Sequence, residues 1–150
     1  MHRDSLQPIR DNGLYDLLDI PASGLEVADG VRLVPTHGHT PGHLSVRLTG
    51  TVRNALISGD SLHHPVQLAY PDMGGVGDVD PAEARTTRHH LLTELAGTDD
   101  LLLGTNWHVE NLRKSGNHMC RGRERIDLVP ESYSGCSMVI TKMRCSSVYG

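Results

Sequence analysis

The sequence predicts an α/β domain, and three observations predict it. Short apolar segments of strand length recur at residues 31–35, 44–48, 55–58 and 101–103. One stretch of helical periodicity, opening at Asp80, separates the third segment from the fourth. Gly- and Pro-rich turns punctuate the segments, and one of these turns holds three histidines. Strands alternating with a helix argue for a sheet layered against helices.

The chain has 150 residues, for which one domain is the default. Phe is absent and there is one Trp, so the core must be aliphatic, mostly Leu and Val. The net charge of −4 gives no reason to expect nucleic acid as a partner. No apolar run is long enough to span a membrane, and the first twenty residues lack the apolar core of a signal peptide. The expectation is therefore a cytoplasmic protein with no membrane partner. Three cysteines (Cys120, Cys136 and Cys145) match no zinc spacing and read as unpaired thiols.

The elements follow in order. Residues 2–20 read as loop, with a short turn at 14–18. Gly24 to Gly30 reads as a strand and turn. Val31 to Pro35 alternates loosely and ends at a His-rich turn. Leu44 to Leu48 alternates cleanly, with Leu44, Val46 and Leu48 on one face. Ala55 to Ser58 is a shorter, more buried strand stopped by Gly59. Residues 62–79 form a long Pro/Gly-rich loop carrying His63, His64, Gln67, Tyr70 and Asp72, and loops of this length are often binding loops.

Asp80-Pro81-Ala82-Glu83 is a helix start: Asp80 caps, Pro81 suits the first helical position, and Glu83 completes a capping box. Ala84, Thr87, Leu91, Leu92 and Leu95 then recur at helical spacing until Gly97. Arg85, Arg88 and His89 are expected on the solvated side. Leu101 to Leu103 is a buried strand, ending at Gly104-Thr105-Asn106-Trp107-His108. Composition shifts near residue 108. Residues 1–108 carry seven Lys/Arg against fourteen Asp/Glu, and residues 109–150 carry seven against four, with all three cysteines. Residues 109–150 therefore read as a separate, poorly ordered and irregular tail. Its Arg121-to-Arg125 run is read as a solvated charge run.

The chemistry-bearing run is Thr36-His37-Gly38-His39-Thr40-Pro41-Gly42-His43. Imidazole and carboxylate suit zinc and similar divalent ions. His43, at the strand entrance, is the histidine best held by neighbouring backbone, so it is the ligand candidate. His39 is read as orienting the turn by hydrogen bonding, and His37 as exposed. Asp60 ends a strand, and its two oxygens suit it to bridge two metal ions roughly 3.5–4 Å apart. His108 also follows a strand and is a further candidate. His63 and His64 follow Asp60 closely, and one of them is expected to hydrogen-bond substrate or a ligand.

These residues resemble the metallo-β-lactamase superfamily. Thr36 to His43 is similar to the family's T-P-G-H-T-x-G-H, with His37 where Pro is usual, and Gly59-Asp60 is similar to its G-D motif. Ser61 to Gln67, Asp78-x-Asp80-Pro81 and Ala84-Arg85-x-Thr87-Arg88 resemble the branch of lactonases and methyl parathion hydrolase-like esterases. The resemblance covers roughly residues 5–106. It implies half of an αββα sandwich, with a mixed sheet and flanking helices. It also implies two zinc ions in the intact family, and a metal-bound hydroxide that attacks an ester, lactone or amide of a small-molecule substrate. On this resemblance His43 ligates one zinc, Asp60 bridges both, and His108 stands in for the family's last ligand, whose own position is Asn106.

The family's H-x-H-x-D-H motif has no match in this chain. Two or three ligands cannot hold two zinc ions as five to seven can, so fewer zinc ions are expected here. The alternative expectation is a truncated, catalytically inactive member with a misspliced or frameshifted tail. An inner sheet face left uncovered by the missing half would favour a homo-oligomer.

Overall fold

A computed structural model describes residues 6–105 and Trp107, together with the backbone of residues 118–121, 124–129 and 139–144. The elements run α1 (Gln7–Asp11), β1 (Leu25–Ala28), β2 (Val31–Pro35), β3 (Leu44–Leu48), β4 (Ala55–Ile57), α2 (Val66–Ala69), α3 (Pro81–Leu95), β5 (Leu101–Gly104), β6 (His118–Arg121), β7 (Glu124–Val129) and β8 (Val139–Arg144). One mixed sheet contains all the described strands, in the order β1-β2-β3-β4-β5-β8-β7-β6. β1 to β4 are successive antiparallel neighbours. β4 and β5 are parallel, with Ala55 opposite Leu101 and Ile57 opposite Leu103. A parallel pair needs a crossover, and α3 supplies it.

Register explains the alternation seen in the sequence. Leu33, Val46, Ile57 and Leu103 lie opposite one another across four strands and so share a face. Leu56 and Leu102 are paired on the other face, where α3 packs. There Leu56, Leu62, Leu68, Leu91, Leu92, Leu95, Leu102 and Trp107 form one buried cluster. The first face is apolar but only partly buried: Leu33, Val46, Ile57 and Leu103 all keep some exposure. Gly104 is required at the end of β5 by close approach, since a Cβ there would stand 2.1 Å from the Trp107 ring.

α3 begins as its sequence predicts. The Asp80 carboxylate accepts from the backbone N–H groups of Ala82 and Glu83 at 3.0 and 2.9 Å. The reciprocal half of the expected capping box is replaced: Asp80 N–H donates instead to the carbonyl of Gly38 at 2.9 Å.

Arg88 differs from expectation. It is fully buried, not on the solvated side. The buried stripe of α3 is Ala84, Arg88, Leu91, Leu92 and Leu95, and Arg88 sits four residues from both Ala84 and Leu92. The stripe drawn through Thr87 put Arg88 on the solvated side; the buried stripe runs through Arg88 instead, where a buried carboxylate partners it.

Residues 7–11, read as loop, form the helix α1, while 14–20 carry no helix or strand. The loop at 62–79 contains the short α2. The stretch after 108, in which no periodic element was expected, carries three strand segments, with β8 paired antiparallel to β5. The side chains of Asn106, His108, Cys120, Cys136 and Cys145 lie outside the described residues, as does the Arg121-to-Arg125 run apart from its strand backbone. Among the described residues, no helix is long and apolar enough to cross a membrane.

Candidate metal centre

The register places the candidate residues at one end of the sheet. The His-rich turn joins β2 to β3, and Pro35 pairs with Leu44 at its base. β4 runs antiparallel to β3, so the C-terminal end of β4, and Asp60 beyond it, rises beside that turn.

The turn is closed by backbone bonds from Thr36 N–H to the His43 carbonyl (3.0 Å) and from His43 N–H to the Thr40 carbonyl (3.2 Å). It docks on the start of α3. Thr87 Oγ1 donates to the His37 carbonyl at 2.7 Å, and Val79 N–H to the His39 carbonyl at 3.1 Å. Gly38 makes this docking possible. Its φ is +119°, and a Cβ there would stand 2.1 Å from the Ala84 nitrogen, so no other residue fits.

Sequence position makes His43 the ligand candidate, yet both of its ring nitrogens are used inside the protein. Nε2 accepts the backbone N–H of Asp60 at 2.9 Å. Nδ1 therefore carries the proton, and it lies 2.8 Å from Thr36 Oγ1 and 3.1 Å from the Thr36 carbonyl. Burial pushes the His43 pKa down, which suits this neutral ring. Gly59 is tied to the same contact. Its φ is +54°, and a Cβ there would stand 2.8 Å from His43 Nε2. Close to the ring, the hydroxyls of Thr36, Ser45 and Ser61 and the Ser58 carbonyl form a buried network joining β3 to β4. His43 thus holds the Gly59-Asp60 turn against the His turn.

His39 occupies the centre of the site. Its Nδ1 lies 3.2 Å from Asp78 Oδ1, and its Nε2 lies 3.7 Å from Asp60 Oδ2. Its ring centroid is 4.8 Å from that of His63 and 5.9 Å from that of His43. His63, His39 and Asp78 each offer an atom within 4.8 Å of the other two, a spacing that could hold a metal ion. Among the described residues, His63 Nδ1 is buried with no hydrogen-bond partner. Its backbone is anchored by Gln67, whose Oε1 accepts the N–H of His63 at 2.7 Å and whose Nε2 donates to the Met73 carbonyl. Gly75 lies against the His63 ring, where a Cβ would come within 3.0 Å.

Asp78 has no solvent-exposed side-chain surface. Its Oδ2 accepts Gly75 N–H at 3.0 Å and Arg88 Nη1 at 3.2 Å. Burial by itself would raise its pKa, but the Gly75, His39 and Arg88 hydrogen bonds outweigh it and hold the carboxyl below the usual range.

Of the residues singled out in the sequence, His39, His43, Asp60 and His63 are brought together. His37 and His64 are exposed, and His64 Nδ1 accepts the N–H of Val66 at 3.1 Å. Asp78 went unassigned in the sequence, although a signal existed. A charged Arg88 on an otherwise apolar helical stripe demands a buried acid, and Asp78 lies just before the helix. A separate groove of about 330 Å³ lies between β2 and α3, lined by Val34, His37, Thr86, Thr87, His90 and Glu94. It shares the turn with the histidine cluster but none of its inward-facing side chains.

The family pattern described as metallo-beta-lactamase superfamily matches residues 4–105. No curated protein matches the chain. Among solved structures, the chain is similar to a hydrolase, AbOPH, in the beta lactamase superfamily, with a TM-score of 0.60 at 21% identity over 92% of this chain and 41% of that one. It is also similar to a probable metal-dependent hydrolase from Staphylococcus aureus, with a TM-score of 0.59 at 14% identity over 89% of this chain and 41% of that one. A third is AidC, a dizinc quorum-quenching lactonase, with a TM-score of 0.51 at 18% identity over 91% of this chain and 38% of that one. The chain thus spans about two fifths of the length of these structures. The match over residues 4–105 includes the His turn, Asp60 and α3, and the chain belongs to the metallo-beta-lactamase superfamily.

Proposed function

We propose that this chain carries a zinc-binding centre of a metal-dependent hydrolase acting on ester, lactone or amide bonds, and that its ligands are His39, Asp60 and His63. The observation that carries the reading is the approach of His39 Nε2 to Asp60 Oδ2 at 3.7 Å, while His39 Nδ1 is engaged by Asp78. A His39 that donates a hydrogen bond from Nδ1–H to Asp78 turns its Nε2 lone pair toward the Asp60 carboxylate. Two electron-rich groups so placed favour a cation between them. His63 offers a further ring nitrogen within 4.8 Å of one of His39. Two imidazoles and a carboxylate are a donor set suited to zinc.

Bound zinc would supply Lewis acidity, lowering the pKa of water to about 7 and polarising a carbonyl. The protein's part is to hold the donors: Gly38 and Gly59 admit the close turns, and His43 pins the Asp60 backbone. In this reading His43 acts as a brace, where its motif implies a ligand.

A second reading follows from the donor count. His39, His63 and Asp60 suffice for one ion, and this chain contains no H-x-H-x-D-H motif to hold a second. The chain on its own then binds one zinc and is catalytically weak or inactive. Equilibrium dialysis with metal analysis, alongside turnover of a chromogenic ester or lactone, tests both readings. The expected result is one zinc per chain with little turnover. Two zinc ions with clear turnover would refute the single-ion reading, and no zinc at any concentration would refute the metal centre itself.

A further inference from the structure

We propose that Asp78 is the positioning residue of His39: held by Arg88 and Gly75, it fixes the imidazole as its Nδ1–H tautomer and turns Nε2 toward Asp60. The effect on metal binding rests on the zinc reading above; the tautomer does not.

The geometry divides the Asp78 carboxylate between two tasks. Oδ2 accepts Gly75 N–H at 3.0 Å and Arg88 Nη1 at 3.2 Å, which sets the plane of the group. Oδ1 is left to face His39 Nδ1 at 3.2 Å. An ionised carboxylate has no proton to give, so Nδ1 must be the donor. With the ring's proton on Nδ1, Nε2 presents its lone pair to the Asp60 side. Carboxylate–histidine pairs of this kind fix ring orientation and raise ligand basicity at metal sites.

Arg88 is itself immobilised. Its Nε donates to the Pro71 carbonyl at 3.0 Å, and its side chain is wholly buried on the inner stripe of α3. The position of α3 is thereby transmitted to the His39 ring through two side chains. Val79 N–H on the His39 carbonyl and Asp80 N–H on the Gly38 carbonyl hold the same two segments together through the backbone. The Asp78-x-Asp80 pair thus divides its work: Asp80 caps the helix, and Asp78 aims the histidine.

The test is the ring-nitrogen spectrum of His39 by NMR on the full chain, free of metal, at pH 8. Wild type is expected to show the Nδ1–H form. Asp78→Asn still offers an amide oxygen but strands a buried guanidinium, so the decisive variant is Asp78→Leu/Arg88→Met, which removes both charges together. In it His39 should revert to the Nε2–H form that free imidazole side chains favour in water. Zinc affinity should fall about 10- to 100-fold in the same variant, as for other partners that orient a ligating histidine. A wild-type His39 in the Nε2–H form would overturn the proposal, as would a tautomer unchanged in a folded double variant. If wild type shows the Nδ1–H form but takes up no zinc, the positioning role stands and the metal centre falls.

Discussion

Asp78 and Arg88 face each other at 3.2 Å with no side-chain surface of either exposed to solvent. A buried pair of this kind is costly to break and cheap to replace whole, because removing one partner leaves an uncompensated charge. Arg88→Met alone should cost about 3–5 kcal/mol of stability, and the double replacement Asp78→Leu/Arg88→Met should cost less than either single change. Urea denaturation of the four proteins of the cycle provides the measurement; additive losses would contradict the coupling.

Ligand assignment separates two histidines of one turn. His39→Ala should abolish zinc uptake. His43→Gln, which keeps an amide oxygen able to accept Asp60 N–H, should retain it within about tenfold, roughly 1.4 kcal/mol. Equilibrium dialysis, with circular dichroism to confirm folding, decides between them. Retained binding in the first variant and loss in the second would restore His43 as the ligand.

Gly38 and Gly42 provide a matched pair. A Cβ at Gly38 meets the backbone of Ala84 at 2.1 Å in a positive-φ conformation, whereas one at Gly42 meets nothing within 4 Å. Gly38→Ala should therefore cost more than about 3 kcal/mol, and Gly42→Ala should stay within about 0.5 kcal/mol. Thermal melts of the two proteins should differ accordingly. Equal melting temperatures would mean that the turn does not seat on α3 as described.

Acid should weaken the metal-free fold in two windows. The His43 pKa is lowered by burial, so the unfolded chain binds a proton more readily below the ordinary value of 6.5. Its contribution is complete above that value and is lost as pH falls through the folded pKa. The Asp78 pKa is also lowered, because its hydrogen bonds outweigh the effect of burial, so its contribution is complete above 3.8 and is lost further down. Urea midpoints measured from pH 8 to pH 3 should decline in both windows, and His43→Gln should lack the upper decline. An unchanged upper decline in that variant would assign it to another group.

The helix start and the core offer quantitative checks. Asp80→Ala should cost about 1 kcal/mol by loss of two N–H acceptor contacts, while Leu92→Ala, in the centre of the buried cluster, should cost about 2–5 kcal/mol. Denaturant titration should rank them in that order.

The sequence by itself determined the α/β class, β2, β3, β4 and β5 at close to their observed bounds, the cap and course of α3, and the His-turn and Gly59-Asp60 motifs of the site. Those features are local. Period-two alternation, turn glycines and a capping aspartate act within a few residues, so they can be read without neighbours. Tertiary structure alone decided which histidine faces the centre. His39 and Asp78 are 39 residues apart, and only the docking of the turn on α3 brings them to 3.2 Å. Tertiary packing also buries Arg88, which the helical pattern had placed on the solvated side. The pairing of β3 with β4 brings the Asp60 N–H to Nε2 of His43, the ligand candidate by sequence position. The strands after residue 108 were likewise hidden, since β8 is defined by pairing with β5, a long-range partnership that no local pattern announces.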